Sequence, residues 1–384
     1  MTTGQQPPDW VPPGEPPPAG PPPGALPPPP GYPRSRTPAA VPQQPYPQQP
    51  YPQQPYPQQP YPPVPYPSAR VARPVLPSPP EYHQLHRGGR RGWWWAVLGA
   101  VLVPVLGVGV VPAIFLAPIA VYRAASSSGG SLDAETLMKA SPALLAALNV
   151  GLGLSILLAM GATWALHGLK PGWVSSVVRR LRWRWLVACL GLSVLALGAM
   201  LAVTYLLPQQ DAGDASTLNA FTAETRNYLL VILLLTPFQA AGEEYAFRGY
   251  LTQALGGLFT PLGTGVSRAA AVVLPALLFA LAHGLGQSVP VFFDRLAFGL
   301  VAGWLVIRTG GLEAGIAMHV LNNFLAYGLA LAFGNMDDAL NATGGSWWMI
   351  PTTLTQSLVY LGLVTWLARR WGLQRRADPA VLAA

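Results

Sequence analysis

Beyond residue 92 the sequence is dominated by long apolar runs, many of about twenty residues, and this feature limits the folds open to it. Runs of that length match the roughly 30 Å hydrocarbon core of a bilayer. A segment lying in lipid must satisfy its own backbone hydrogen bonds, which leaves helices as the spanning element for runs this long. The expected fold class is therefore all-α: a polytopic helical membrane protein with about eight transmembrane helices. The spans read as 93–122, 142–168, 185–207, 227–257, 269–288, 291–308, 312–334 and 347–368. The fifth and sixth could instead form a tight re-entrant pair.

Composition divides the chain sharply. Of its 44 prolines, 32 precede residue 93. Residues 1–86 hold polyproline runs such as Pro27-Pro28-Pro29-Pro30 and four consecutive Gln-Gln-Pro-Tyr-Pro units from Gln43 to Pro62. Such a segment cannot bury a core and is expected to stay extended, disordered and solvated as a Pro/Gln/Tyr-rich cytoplasmic tail. Its bland role is none in catalysis; its sharper one is a docking arm for a protein partner or the membrane surface. Residues 87–372 form the expected transmembrane domain, and 373–384 a short C-terminal tail. The first apolar run begins near Trp93, so a cleavable signal peptide is not expected. The single cysteine, Cys189, permits no internal disulfide.

The basic charge is 21 Arg against 2 Lys, which with the wealth of Ala, Gly and Pro suggests a GC-rich bacterial genome. Its placement is topological. Arg87, Arg90 and Arg91 precede the first span, and Lys170, Arg179, Arg180, Arg182 and Arg184 fill the loop after the second. Arg268, Arg308, Arg369, Arg370, Arg375 and Arg376 follow at later even connections and at the end. The odd connections carry Asp133, Glu135, Asp211, Asp214, Glu224, Asp337 and Asp338, against Arg123, Lys139, Arg226 and Arg295. Basic residues remain on the cytoplasmic side, so both termini are expected inside, in the cell membrane, and a nucleic-acid role is unnecessary. Trp93, Trp94, Trp95, Trp183, Trp185, Trp347, Trp348 and Trp371 cluster at span ends as an interfacial aromatic belt.

Charge inside the spans needs a reason, since each ionised group there costs about 2.5 kcal/mol or more. The fourth span carries Glu243, Glu244 and Arg248. Glu244 and Arg248 are four apart, share a helix face and can pair. Glu243 is offset by about 100° and is left without a charge partner, so burial would favour its acting as a base. A structural ion pair pinning two helices is the plain alternative. The fifth span places Phe279 and His283 on one face, and the seventh does the same with His319 and Asn323. Each pair alone is compatible with a packed core. Together they bring a carboxylate, two imidazoles and a carboxamide to one bundle interior.

Glu-Glu-x-x-x-Arg, Phe-x-x-x-His and His-x-x-x-Asn, in that order on successive spans, resemble the three motifs of the CAAX protease and bacteriocin-processing (CPBP, or Abi) intramembrane endopeptidases. The resemblance covers roughly Phe238 to Leu325 within a core at about 227–334. Spacing from His319 selects Asn323 over Asn322. The resemblance implies peptide-bond hydrolysis of a membrane-associated protein or peptide. Glu243 and His283 would activate water, and His319 with Asn323 would stabilise the oxyanion. Glu244, Arg248 and Phe279 would support them. The family is commonly classed as metalloprotease, and Glu243, His283 and His319 could ligate zinc. The His-Glu-x-x-His zinc motif is absent, so no metal is favoured. Eukaryotic relatives cut prenylated tails, a specificity not expected in a bacterium.

Depth along the helices raises one difficulty. At about 1.5 Å per residue, Glu243 lies about 24 Å below the outer face and His319 about 10 Å above the inner one. His283 comes out about 21 Å above the inner face, too far to join them. A helix break at Leu274-Pro275 would bring it to about 12 Å, and that break is expected. Two other classes compete with the protease: a non-catalytic relative acting as membrane scaffold or bacteriocin immunity protein, and a proton-coupled transporter. Internal symmetry, which would favour the transporter, is not evident.

Overall fold

A computed structural model describes residues 78–89, 92–126, 134–208, 217–284, 286–340 and 343–383. The expected extended segment up to residue 77, and Arg90, Arg91, Asp133, Asp211 and Asp214, lie outside the described residues. The protein is a polytopic helical membrane protein. Its long helices are α1 Trp93–Ser126, α2 Pro142–His167 and α3 Trp183–Leu206, then α4 Ala223–Glu244 and α5 Thr252–Phe259. They continue with α6 Thr264–Ala282, α7 Val289–Thr309 and α8 Glu313–Phe333, and end with α9 Met349–Arg370. No β-strand occurs among the described residues; two isolated bridges pair Glu81 with Arg376 and Ser176 with Gly311.

Local sequence explains the helix limits. Ser141 caps α2 by accepting from the Leu144 amide, with Pro142 at the first helical position. Thr222 caps α4 in the same way. α2 ends on Gly168 and α7 on Gly310, both left-handed, a conformation that glycine adopts without a Cβ clash. Leu157, Val187, Leu195 and Leu233 face outward while Asn149, Thr163, Ser193 and Thr236 are buried. Lipid is as apolar as leucine, so small and polar side chains do the joining between helices. Asn149 on α2 donates to Thr236 on α4 at 3.0 Å.

Six of these helices, α1, α2, α3, α6, α7 and α8, are long and apolar enough to cross a membrane. α4 and α9 fall at the other two expected spans, and their sequences are the more polar. α4 is extended by a π-helical turn, Tyr245–Leu251, and then by α5, as one rod. α6 and α7 contain 19 and 21 residues, full-length helices rather than a re-entrant pair. α4 packs on α2 and α8, α6 on α5 and α7, and α9 on α3 and α7.

The folded chain also begins earlier than residue 87. Tyr82–Gly88 is a 3-10 helix packed on α5 with Tyr82, His83 and Leu85 fully buried. Glu81 binds Arg268 through two hydrogen bonds of 2.9 and 2.6 Å, and Arg376 at 3.0 Å. The C-terminal residues close over the same end, with the Ala377 amide donating to the Pro80 carbonyl.

The break expected at Pro275 is absent: α6 runs unbroken from Thr264 to Ala282 with Pro275 inside it. None is needed. α5 and α6 form a hairpin through the turn at Thr260–Leu262. Glu243 stands about 24 Å up one arm and His283 about 28 Å up the other, nearly level at about 1.5 Å per residue. Two references were misplaced: the rod that carries Glu243 runs on to Phe259, and α8 starts inside the protein. The first residue of α8, Glu313, does not lie at a membrane face but is fully buried, held by Arg182 at 2.6 Å. The loop that carries Arg182 reaches into the protein and pairs with the turn before α8 through Val177 to Gly310 and Leu312 to Ser175.

Candidate active site

Close helix approach puts the glutamates in place. A Cβ on Gly242 would lie 2.1 Å from the Leu152 carbonyl oxygen, so α4 can press against α2 here only with glycine. Glu243 and Glu244 follow at once, and the π-helical turn begins directly after them. Such turns gather at functional sites because they re-aim side chains within a helix.

Glu244 and Arg248 make the floor, both 0% exposed. Arg248 Nη1 donates to Glu244 Oε1 at 2.9 Å, the expected i,i+4 pair. The guanidinium also lies 4.0 Å from the centre of the Phe279 ring and 5.0 Å from that of Phe298. An aromatic face attracts a cation, and more strongly where water is excluded. Two glycines leave the room: a Cβ on Gly315 would meet Glu244 Oε2 at 2.5 Å, and one on Gly299 the Ala276 backbone at 2.9 Å and Arg248 Nη2 at 3.1 Å. The pair does not act within its own helix alone, because the same Glu244 oxygen lies 3.1 Å from His319 Nδ1 on α8.

Glu243 is 6% exposed and His319 5%. Glu243 was expected to lack a charge partner; the structure supplies one from another helix, His319 Nε2, 3.5 Å from Oε2. Its other oxygen, Oε1, accepts a 2.8 Å hydrogen bond from Gln239 Nε2. Gln239 Oε1 in turn accepts from Asn323 Nδ2 at 2.9 Å. Asn323 thus joins the site through Gln239. Among the described residues no group donates a hydrogen bond to Glu243 Oε2, which leaves one buried carboxylate oxygen for a reacting molecule.

His283 caps the end of α6, with Nδ1 2.8 Å from the Phe279 carbonyl and its ring edge-on to Phe279 at 4.7 Å. It is near enough to Glu243 and His319 to interact with both electrostatically. His283 lies on the exposed rim of a site whose floor is fully buried, so access is from the side where α6 ends and α7 begins. Arg295 on α7 also feels the Glu243 charge.

All seven residues singled out in the sequence therefore converge: Glu243, Glu244, Arg248, Phe279, His283, His319 and Asn323. Four others were missed. Gln239 had a signal, as a polar residue one helical turn before Glu243 in an apolar stretch. Phe298, Gly299 and Gly315 had none, being ordinary in spans. Among the described residues no three His, Cys, Asp or Glu side chains are grouped to hold a metal ion. Glu243, His283 and His319 are not drawn together as a three-ligand set in this arrangement, though Glu243 Oε2 and His319 Nε2 face each other at 3.5 Å.

Residues 225–325 match the family described as Rce1-like: type II CAAX prenyl endopeptidase Rce1-like. All three motifs fall inside that segment, and the resemblance to the CPBP endopeptidases holds over it. The chain is also similar to the uncharacterized protein YyaK of Bacillus subtilis (strain 168), 28% identical over 163 residues, 41% of this chain and 54% of that protein. The chain thus spans about half the length of this curated relative. No solved structure matches it.

Proposed function

We propose that the protein is an intramembrane endopeptidase that hydrolyses a peptide bond of a membrane-associated protein or peptide. The Rce1-like match supports proteolysis at the level of the family. The observation that carries the chemistry is the state of Glu243: buried, with one oxygen held by Gln239 and the other open toward His319.

In this reading a water enters past His283 and binds between His283 and Glu243 Oε2. Glu243 takes its proton as the oxygen attacks the scissile carbonyl carbon, a role that requires the base within hydrogen-bond reach of the water. The electron pair of the carbonyl moves to its oxygen. That oxyanion accepts from the Nε2–H of His319 in its doubly protonated form and from the second N–H of Asn323, whose first is used on Gln239. Preorganised donors of this kind contribute several kcal/mol because they need not reorient in the transition state. Collapse expels the amine, which takes the proton from Glu243. No step is routed through a metal.

Glu244 and Arg248 position rather than react. Glu244 accepts from His319 Nδ1 and so aims Nε2 at the reacting centre. The substrate is a membrane-proximal peptide, such as the leader of a secreted product. The localisation that follows is the cell membrane, with the basic connections and both termini cytoplasmic. The test is a purified protein incubated with a tagged candidate peptide, comparing wild type with Glu243→Ala and His283→Ala. Cleavage that persists in both variants removes this mechanism.

A further inference from the structure

α7 and α9 lie side by side and end at the same face of the protein, next to the residues that close over Tyr82–Gly88. Between them runs an open groove of about 780 Å³, with Trp304 and Arg308 of α7 facing Trp366, Arg369 and Arg370 of α9 at its head. We propose that this groove binds an anionic phospholipid, its phosphate held by Arg308, Arg369 and Arg370 and its acyl chains laid along Leu358, Leu361 and Gly362.

The groove has two chemistries in the order that a lipid has them. Its far part is leucine and glycine on the outward side of α9, where Leu358 is exposed. Its head holds three arginines and no carboxylate. The acid Glu81 lines the adjoining recess with Arg268, Arg308, Arg375 and Arg376, and is already bound by Arg268 and Arg376. Arg308, Arg369 and Arg370 have no ion-pair partner among the described residues. Two tryptophans frame them, with Arg308 over Trp304 at 4.9 Å and Arg370 over Trp366 at 5.8 Å. Trp366 is 55% exposed, at the level where indole rings sit among headgroups.

Helix C-termini favour basic residues, which accounts for arginines at the ends of α7 and α9. It does not account for their converging on one apolar groove. A basic pocket between transmembrane helices near the membrane surface is the form that anionic headgroup sites take. Two acyl chains complete the match, and neither a soluble anion nor an acidic peptide would use the leucine wall.

The test uses the full chain purified in neutral detergent and native mass spectrometry of bound adducts. It is titrated separately with phosphatidylglycerol, phosphatidylcholine and glycerol phosphate. Phosphatidylglycerol should be retained at concentrations at least about tenfold below phosphatidylcholine, and glycerol phosphate should not be retained. The triple substitution Arg308→Gln, Arg369→Gln, Arg370→Gln should abolish the preference, while Arg179→Gln with Arg180→Gln should leave it intact. A charge-neutral variant guards against misfolding: a Cβ at Gly362 would meet nothing within 4 Å, so Gly362→Phe fills the groove without a clash at its base. It should lose phosphatidylglycerol retention at unchanged melting temperature. Equal retention of the two lipids overturns the proposal, as does glycerol phosphate binding as well as the lipid. Full retention in Gly362→Phe overturns it too, by reducing the effect to surface charge.

Discussion

Gln239 donates a 2.8 Å hydrogen bond to Glu243 one helical turn further on, and this contact decides which carboxylate oxygen is left to react. The same side chain accepts from Asn323, so one amide sets two of the groups in the proposed mechanism. Gln239→Met keeps length and apolar fit while removing both bonds. It should lower kcat about 10- to 100-fold with KM within about threefold, the pattern of an interaction used in the transition state. Gln239→Glu can still accept from Asn323 but sets a carboxylate oxygen against Glu243 Oε1, and should retain no more activity than Gln239→Met. Steady-state kinetics on a cleaved peptide measure both, and equal loss in KM and kcat would point to a merely structural role.

The two glutamates should part under substitution. Glu243→Gln is nearly isosteric and should abolish turnover, by about 10²-fold or more, while the protein melts where wild type does. Glu244→Gln leaves Arg248 buried without its carboxylate and should cost about 3–5 kcal/mol of stability, because an uncompensated buried charge remains. Thermal unfolding in detergent read beside turnover separates the two effects.

Space around the floor is as specific as its charge. Gly315→Ala places a methyl group 2.5 Å from Glu244 Oε2 and must displace the carboxylate that faces His319. Activity should fall about tenfold or more, since small misplacements near the chemistry are costly. Gly198→Ala, where a Cβ meets nothing within 4 Å, should leave activity unchanged.

Acid should loosen the 3-10 helix Tyr82–Gly88. Burial holds His83 at about 4, below its ordinary 6.5, with Glu81 opposing and Arg268 adding to the fall. Burial, and then the neighbouring His167, lower His86 as well. The unfolded segment therefore takes up protons first as pH falls through 6.5, and the folded one only near 4. For His83 alone stability is intact above about pH 6.5 and declines by up to about 3 kcal/mol toward pH 4, at 1.36 kcal/mol per unit. Glu81 reinforces the trend at lower pH. Its burial opposes the charge, but Arg268, His83 and Arg376 outweigh that and hold its carboxyl below the ordinary 4.5. The protection of residues 82–88 against hydrogen exchange, relative to the intrinsic rate at each pH, should fall between pH 7 and pH 5, and constant protection would refute the assignment.

Chelation should leave turnover unchanged, because Glu243, His283 and His319 are not drawn together as a three-ligand set. Metal analysis beside activity tests this. Zinc at near one per chain, lost in step with activity, would require Glu243, His283 and His319 to rearrange around it.

The reacting groups were legible in the sequence because the bilayer makes charge within a span conspicuous. Glu243, Glu244, Arg248, His283, His319 and Asn323 stand out against Leu, Val and Ala, and their order and spacing carry the family resemblance. The helix positions were legible for the same reason, to within a few residues. What α4 and α9 lacked in apolarity, neighbouring helices supply.

Relative depth was not legible. It depended on Glu313 starting its helix inside the protein, tied to Arg182 across 131 residues, and on a hairpin whose arms bring Glu243 and His283 level. Sequence by itself determined that the chain spans a membrane and which polar side chains its interior must accommodate, since transfer cost acts on each residue separately. Only the tertiary structure decided that Asn323 reaches Gln239, that Glu244 reaches His319, and that Phe279 and Phe298 enclose Arg248. Those are contacts between helices, set by where glycines let backbones approach, and no spacing within one helix encodes them.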